Sequence, residues 1–244
     1  MTSFALKLIA LAAMLTDHIG DVWSHAIPES FFLRLIGRVA FPLYAFMIAE
    51  GCRHTKDMKK YLARLGVFAL ISEIPFDLCF ENAGVNGLRD LTILSFNYQN
   101  VFFSLFLSAL AIYIFEILRE KKLAPLGALA FPAAMCAAEL IKSDYGAKAV
   151  VMIGLIYLAK NKITRVAAMI IGSAIIYLPS MGYRGALFGH AFSFGLAAFA
   201  FACLSCVFVM FYNGRRGPDV KYFFYAAYPA HLLVIAAVQI LLKT

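Results

Sequence analysis

Apolar stretches long enough to cross a lipid bilayer recur from one end of this chain to the other. Windows of roughly 20 predominantly apolar residues fall near 4–24, 31–50, 61–80, 98–118, 123–141, 146–160, 163–180, 187–212 and 222–242. A bilayer core offers no water to backbone amides, so each stretch must close its hydrogen bonds within itself, as a helix. The expected fold is therefore all-α: a polytopic integral membrane protein with about nine transmembrane helices in one bundle. The 146–160 window has rise for only about 22 Å against a hydrocarbon core of about 30 Å, so a short or re-entrant helix is expected there. Composition agrees, because 63% of the 244 residues are hydrophobic and 15% charged, a balance no water-soluble domain of this size sustains. No low-complexity linker or convincing internal repeat divides the sequence, so residues 1–244 read as a single domain.

The basic residues set an orientation. One series of loops holds Arg53, Lys56, Lys59, Lys60 and Arg64, then Arg119, Lys121 and Lys122, then Lys160, Lys162 and Arg165, then Arg215, Arg216 and Lys221. The opposite loops hold Arg34, Arg89, Lys142 and Arg184. Cytoplasmic loops are enriched in Lys and Arg, which places the N-terminus in the cytoplasm and, with nine spans, the C-terminus outside. The formal charge of +8 is thus a topology signal. No basic tail or aromatic-interleaved patch accompanies it, and a nucleic-acid partner is not expected. Lys7 alone precedes a stretch too long for a signal-peptide core, so the first helix is expected to be retained. The five cysteines sit in or beside apolar helices, where Cys packs as a small hydrophobe. Cys203 and Cys206 lack the further ligands of a metal site, and no metal is expected.

Against this background the polar residues inside spans stand out. An ionisable group near the bilayer centre costs roughly 2.5–3.5 kcal/mol on insertion scales, so it is a functional candidate by default, with helix packing as the plain alternative. Asp17 and His18 lie inside the first span, with Asp21 on the Asp17 face at i, i+4. Asp17 and His18 point about 100° apart, so Asp21 or another helix is the better candidate to orient the imidazole. The second span carries Arg34 and Arg38, and Pro42 removes the hydrogen bond to the Arg38 carbonyl, predicting a kink beside a membrane arginine. The alternative for Arg38 is snorkelling to the outer interface.

That span ends with Glu50, which meets Arg53 at i, i+3 and His54 at i, i+4. The cluster from Arg53 and His54 to Arg64 reads either as a phosphate site or as a topology signal. Glu73 and Asp77 share a face of the third span across Pro75. Asn97, Gln99 and Asn100 open the fourth span, and Asp144 and Tyr145 precede the short sixth one. These residues are expected to converge in the outer half of the membrane. His231 follows Pro229 in the last span and reads equally as a hydrogen-bonded core residue or as a participant. His25 reads as a loop residue and His190 as lying near the outer end of the eighth span.

Five segments together resemble one family: LKLIALAAMLTDHIG, the run from LRLIGRVAFPLYAFMIAEGCRH to ISEIPFDL, NVFFSLFL, SDYGAKAVVMIGLIYL and FFYAAYPAHLLVI. In order and over nearly the whole length, they resemble the TraX family of F-pilin acetylase-like membrane proteins, within the broader membrane acyltransferase superfamily. The resemblance implies transfer of an acetyl or other short acyl group from cytosolic acyl-CoA to an amine or hydroxyl acceptor, candidate acceptors being a pilin N-terminus or a cell-envelope glycan. On that implication His18 is the general base, with Asp17 and Arg38 completing the catalytic set. Arg53, His54 and Arg64 hold the donor's phosphates. Glu50, Glu73, Asp77, Asn100, Asp144, Tyr145 and His231 are the acceptor-side candidates, the carboxylates suiting a cationic amine. The implied location is the bacterial inner membrane, as a multi-pass cell membrane protein. Intramembrane charges beside proline-broken helices also describe a proton-coupled or small-molecule transporter, which would release no CoA. A structural partner of a pilus or secretion machine would tolerate alanine at His18 and Arg38.

Overall fold

The computed structural model describes residues 1–24, 30–81, 93–182, 184–187, 190–218 and 220–243. In sequence order they form α1 (Ser3–Val22), α2 (Phe31–Gly37), α3 (Ala40–His54), α4 (Met58–Phe80), α5 (Val101–Glu120), α6 (Ala124–Ala128) and α7 (Ala130–Leu140). Then come α8 (Gly146–Leu158), α9 (Lys162–Tyr177), a 3-10 turn (Leu178–Gly182), strands β1 (Arg184–Leu187) and β2 (His190–Ser193), α10 (Phe194–Met210) and α11 (Lys221–Lys243).

Polar residues start these helices by satisfying first-turn amides. Asp57 accepts from the Lys60 amide at 2.9 Å to begin α4, and Asn100 from the Phe102 amide at 3.0 Å to begin α5. Asn161 and Thr164 form a reciprocal capping box at the start of α9, at 2.9 and 3.1 Å. Pro42 acts more strongly than a kink. The helix breaks outright at Arg38 and Val39, whose amides turn to carbonyls three residues back, Leu35 and Ile36, at 3.1 and 3.3 Å. α4, in contrast, runs unbroken through Pro75.

The expected count of about nine spans is met in part. By length and composition, five helices among the described residues suffice to cross a membrane: Ser3–Val22, Phe31–His54 (α2 and α3 together), Val101–Glu120, Lys162–Gly182 and Tyr222–Leu242. Ala124–Leu140, Gly146–Leu158 and Phe194–Met210 are apolar but shorter. α4 is long, yet Arg64, Glu73 and Asp77 interrupt its apolar run. The all-α expectation also needs an addition. β1 and β2 pair antiparallel, so the predicted 187–212 span begins as a hairpin, with His190 in β2, and turns helical only at Phe194. His25 and Arg89 lie outside the described residues.

The protein divides into two compact units. The first comprises Met1–Arg53 and Val151–Asp219; in it α1 packs along α2, α9 along α10, and α10 also meets α2. Two glycines let α1 and α2 approach closely. A Cβ on Gly37 would lie 2.7 Å from the Asp17 Cα, and one on Gly20 would lie 2.8 Å from the Ser30 carbonyl oxygen. Small residues of this kind are how membrane helices bring their backbones together. The second unit comprises His54–Val150 and Val220–Thr244; there α4 packs against α5 and α11, and α5 against α6 and α7. Ala111, Ala134, Ala138 and Val150 make a small-residue core flanked by Leu107 and Phe131.

Candidate functional sites in the two units

The close α1–α2 contact assembles an ionic cluster in the first unit. Asp17 Oδ1 pairs with Arg38 Nη2 and lies 3.9 Å from Arg34 Nε, while Asp21 pairs with Arg34. Arg38 is held further by its own helix break, since its Nε donates to the Arg34 carbonyl at 2.9 Å. Its guanidinium also lies over the ring of Tyr177 from α9, 5.8 Å from the centroid. Arg38 is only 8% exposed, which makes it a paired, buried cation and not a snorkelling one. Removing one partner from such a pair costs about 3–5 kcal/mol, because the survivor is left charged and uncompensated. His18 sits half-buried on α1 beside this cluster in sequence, and the aspartates on either side of it, Asp17 and Asp21, are both engaged by α2 arginines or by Arg38.

A second ionic node closes the end of α3. Glu50 Oε1 accepts from Arg53 Nη1 at 2.7 Å and from Arg165 Nη1 at 2.8 Å. Arg53 Nη2 then donates to the carbonyls of Ile156, at 2.7 Å, of Tyr157, and of Ala159, at 3.0 Å. These are carbonyls that the end of α8 leaves without helical partners, so the Arg53 guanidinium caps that helix. The unit boundary falls between Arg53 and His54. His54 is exposed, and Arg64 lies over the Tyr61 ring at 5.9 Å with a buried Nε that has no hydrogen-bond partner among the described residues. Nearby, the Lys60 backbone amide holds the Asp57 carboxyl below its ordinary range.

The second unit gathers the acceptor-side candidates other than Glu50, which lies in the first. Glu73 Oε2 accepts from Asn100 Nδ2 and from the Asn100 amide at 3.3 Å, and Asn100 Nδ2 also donates to the Ala69 carbonyl at 2.8 Å. One turn on, Asp77 Oδ2 accepts from the Ser95 amide at 2.6 Å. The two carboxylates thus hold the irregular segment that leads into α5. Glu73 Oε1 is buried without a hydrogen-bond partner among the described residues. The Gln99 amide donates to Lys142 O at 3.0 Å and Gln99 O accepts from the Asp144 amide at 2.8 Å, tying this segment to the turn before α8. That turn contains two left-handed non-glycine residues, Lys142 (φ 52) and Tyr145 (φ 62). Tyr98 donates to Asp144 Oδ1 at 2.7 Å, and Ser104 donates to the Asp144 carbonyl. His231, 9% exposed, donates from Nδ1 to the Ala227 carbonyl at 2.8 Å, which leaves Nε2 as the basic nitrogen of the neutral ring. Its ring stands edge-on to Tyr228, centroids 5.5 Å apart.

The structure therefore brings Asp17, Arg38, Arg34 and Asp21 together, and separately Glu73, Asp77, Asn100 and Asp144. It joins Arg53 to Glu50 and the end of α8. Sequence reading missed Tyr177 and the pairing of Arg165 with Glu50; neither contact has a local spacing that could announce it, since each joins distant helices.

A largely helical protein with five helices suited to crossing a membrane, and partly buried ion pairs between them, is a multi-pass membrane protein. A family model described as TraX protein matches residues 3–239, and the chain belongs to the TraX family. It is 27% identical to the probable fimbrial assembly protein FimC, serogroup H1, of Dichelobacter nodosus, over 99% of this sequence and 97% of that protein. No solved structure matches.

Proposed function

We propose that this protein is a membrane acyltransferase that moves an acetyl group from cytosolic acetyl-CoA to an amine or hydroxyl of an acceptor in the outer half of the membrane or beyond it. Membership of the TraX family and a relative named for fimbrial assembly make a pilin the first acceptor to test. The observation that carries the chemistry is the partly buried Asp17–Arg38 pair at the α2–α3 break, with Asp17 one residue from His18. Acyl transfer needs a base near neutral pH and a fixed cation where negative charge develops.

In this reading His18 takes the proton of the attacking amine or hydroxyl as the new C–N or C–O bond forms at the acetyl carbon. Arg38 steadies the oxygen of the tetrahedral intermediate, the C–S bond breaks, and the proton from His18 passes to the departing CoA thiolate. Asp17 holds Arg38 in place. The donor's phosphates fall to His54 and Arg64, because Arg53 already caps α8. Glu73, Asp77, Asn100, Asp144, Tyr145 and His231 bear on the acceptor, the first four also fixing backbone.

The test is purified protein in detergent with acetyl-CoA and a pilin-derived peptide bearing a free N-terminus, followed by mass spectrometry. Acetylated peptide with matching CoA release is expected. Intact acetyl-CoA and unmodified peptide, despite folded protein and a panel of amine and hydroxyl acceptors, would contradict the reading and turn it toward transport.

A further inference from the structure

Arg38 has three described supports, and one of them belongs to no predicted site. Asp17 neutralises Nη2, and the Arg34 carbonyl accepts from Nε. The third is the ring of Tyr177, the last residue of α9, its centroid 5.8 Å from the guanidinium carbon. Both residues are buried, Tyr177 5% and Arg38 8% exposed. A guanidinium over an aromatic face is attracted to the ring quadrupole, and more strongly where water is excluded. The ring does something the two hydrogen-bond acceptors cannot. Acceptors fix where two nitrogens sit, whereas an aromatic face limits rotation of the guanidinium plane about them.

We propose that Tyr177 is a positioning residue for the acyl transfer, setting the plane in which Arg38 presents its donors; this rests on the acyltransferase reading above. The backbone on which the ring hangs is fixed from the other side. A Cβ on Gly195, at the start of α10, would lie 2.6 Å from the Tyr177 carbonyl oxygen and 2.5 Å from the Met181 amide nitrogen. α10 therefore seats directly against the end of α9 and the 3-10 turn that follows it. The ring contributes through its face, so phenylalanine is predicted to replace it and an aliphatic residue is not.

Two measurements on the full-length protein in detergent test this, with Tyr177→Phe and Tyr177→Leu beside wild type. The first is modification of arginines by phenylglyoxal, quantified residue by residue by mass spectrometry. Arg38 labelling is expected to rise severalfold in Tyr177→Leu and to stay at the wild-type level in Tyr177→Phe, with Arg53 unchanged in both as the check on folding. The second is acetyl transfer. Tyr177→Leu is expected to lower kcat about tenfold while KM for acetyl-CoA stays within about twofold, and Tyr177→Phe to retain activity. Unchanged Arg38 labelling in Tyr177→Leu, or labelling that rises equally in both variants, overturns the proposal. So does altered labelling with undiminished transfer. If wild type transfers nothing, the acyltransferase reading fails by itself, and the labelling still decides whether the ring holds Arg38. Should Tyr177→Leu misfold, as altered Arg53 labelling would reveal, Tyr177→Met is read in its place with the same expected outcomes.

Discussion

The two units hold their carboxylates differently. In the first, Asp17, Asp21 and Glu50 face guanidinium groups of Arg34, Arg38, Arg53 and Arg165. In the second, Glu73 and Asp77 face Asn100 and backbone amides, and Asp144 a tyrosine hydroxyl. Opposite charges at close range keep an arginine oriented inside a low-dielectric interior, which is what stabilising a developing negative charge requires. Amide and hydroxyl donors serve another end, fixing where an irregular segment runs. The first arrangement fixes charged donors, and the second fixes the path of the backbone.

The sharpest way to break that comparison is His18→Ala, which is expected to lower acetyl transfer by about 10²–10⁴-fold with little loss of fold. An equal loss from Asn100→Ala with its stability unchanged would shift the chemistry to the second unit. Next in size is stability. Asp17→Ala strands Arg38 and should cost about 3–5 kcal/mol, whereas Glu73→Leu, which strands only the Asn100 amide groups, should cost about 1–3 kcal/mol. Thermal unfolding of the two variants in one detergent checks the order, and the reverse order would remove the distinction between ionic and amide anchoring.

Arginines supply a finer test. Arg53→Ala should destabilise the protein by freeing the end of α8 while leaving KM for acetyl-CoA near wild type; Arg64→Ala should do the opposite, raising KM about tenfold. The smallest effect concerns Asp57. Its carboxyl is held below the ordinary range by the Lys60 amide, so the cap is fully present above the usual carboxylate pKa and is lost as pH falls through the lowered folded value. Unfolding temperatures of Asp57→Ala and wild type should differ at neutral pH and converge in strong acid.

Much of this architecture is legible from local pattern. Asn100 and Asn161 mark helix starts in the structure because capping acts within three residues. Pro42 announces the break at Arg38 for the same reason, and Glu73 and Asp77 do share a helix face. The 146–160 window does announce a short helix, α8, but span counting is less secure at the eighth window, where apolar content does not show that residues 184–187 and 190–193 pair as strands. Contacts made at long range leave no local sign in the sequence. Arg53 reads as part of a basic loop because nothing near it in sequence predicts three carbonyls more than a hundred positions away. Tyr177 reads as one more aromatic in an apolar run, and only the packing of α9 lays it beside Arg38.

The central claim is that His18, which lies between Asp17 and Asp21 in sequence, is the base of an acetyl transfer. CoA thiol release from acetyl-CoA, followed in the presence of acceptor for wild type and for His18→Ala verified as folded, tests it most directly. The account predicts acceptor-dependent release by wild type and its near-complete loss in the variant. Equal release by the two proteins, or none from wild type with any acceptor, would contradict it.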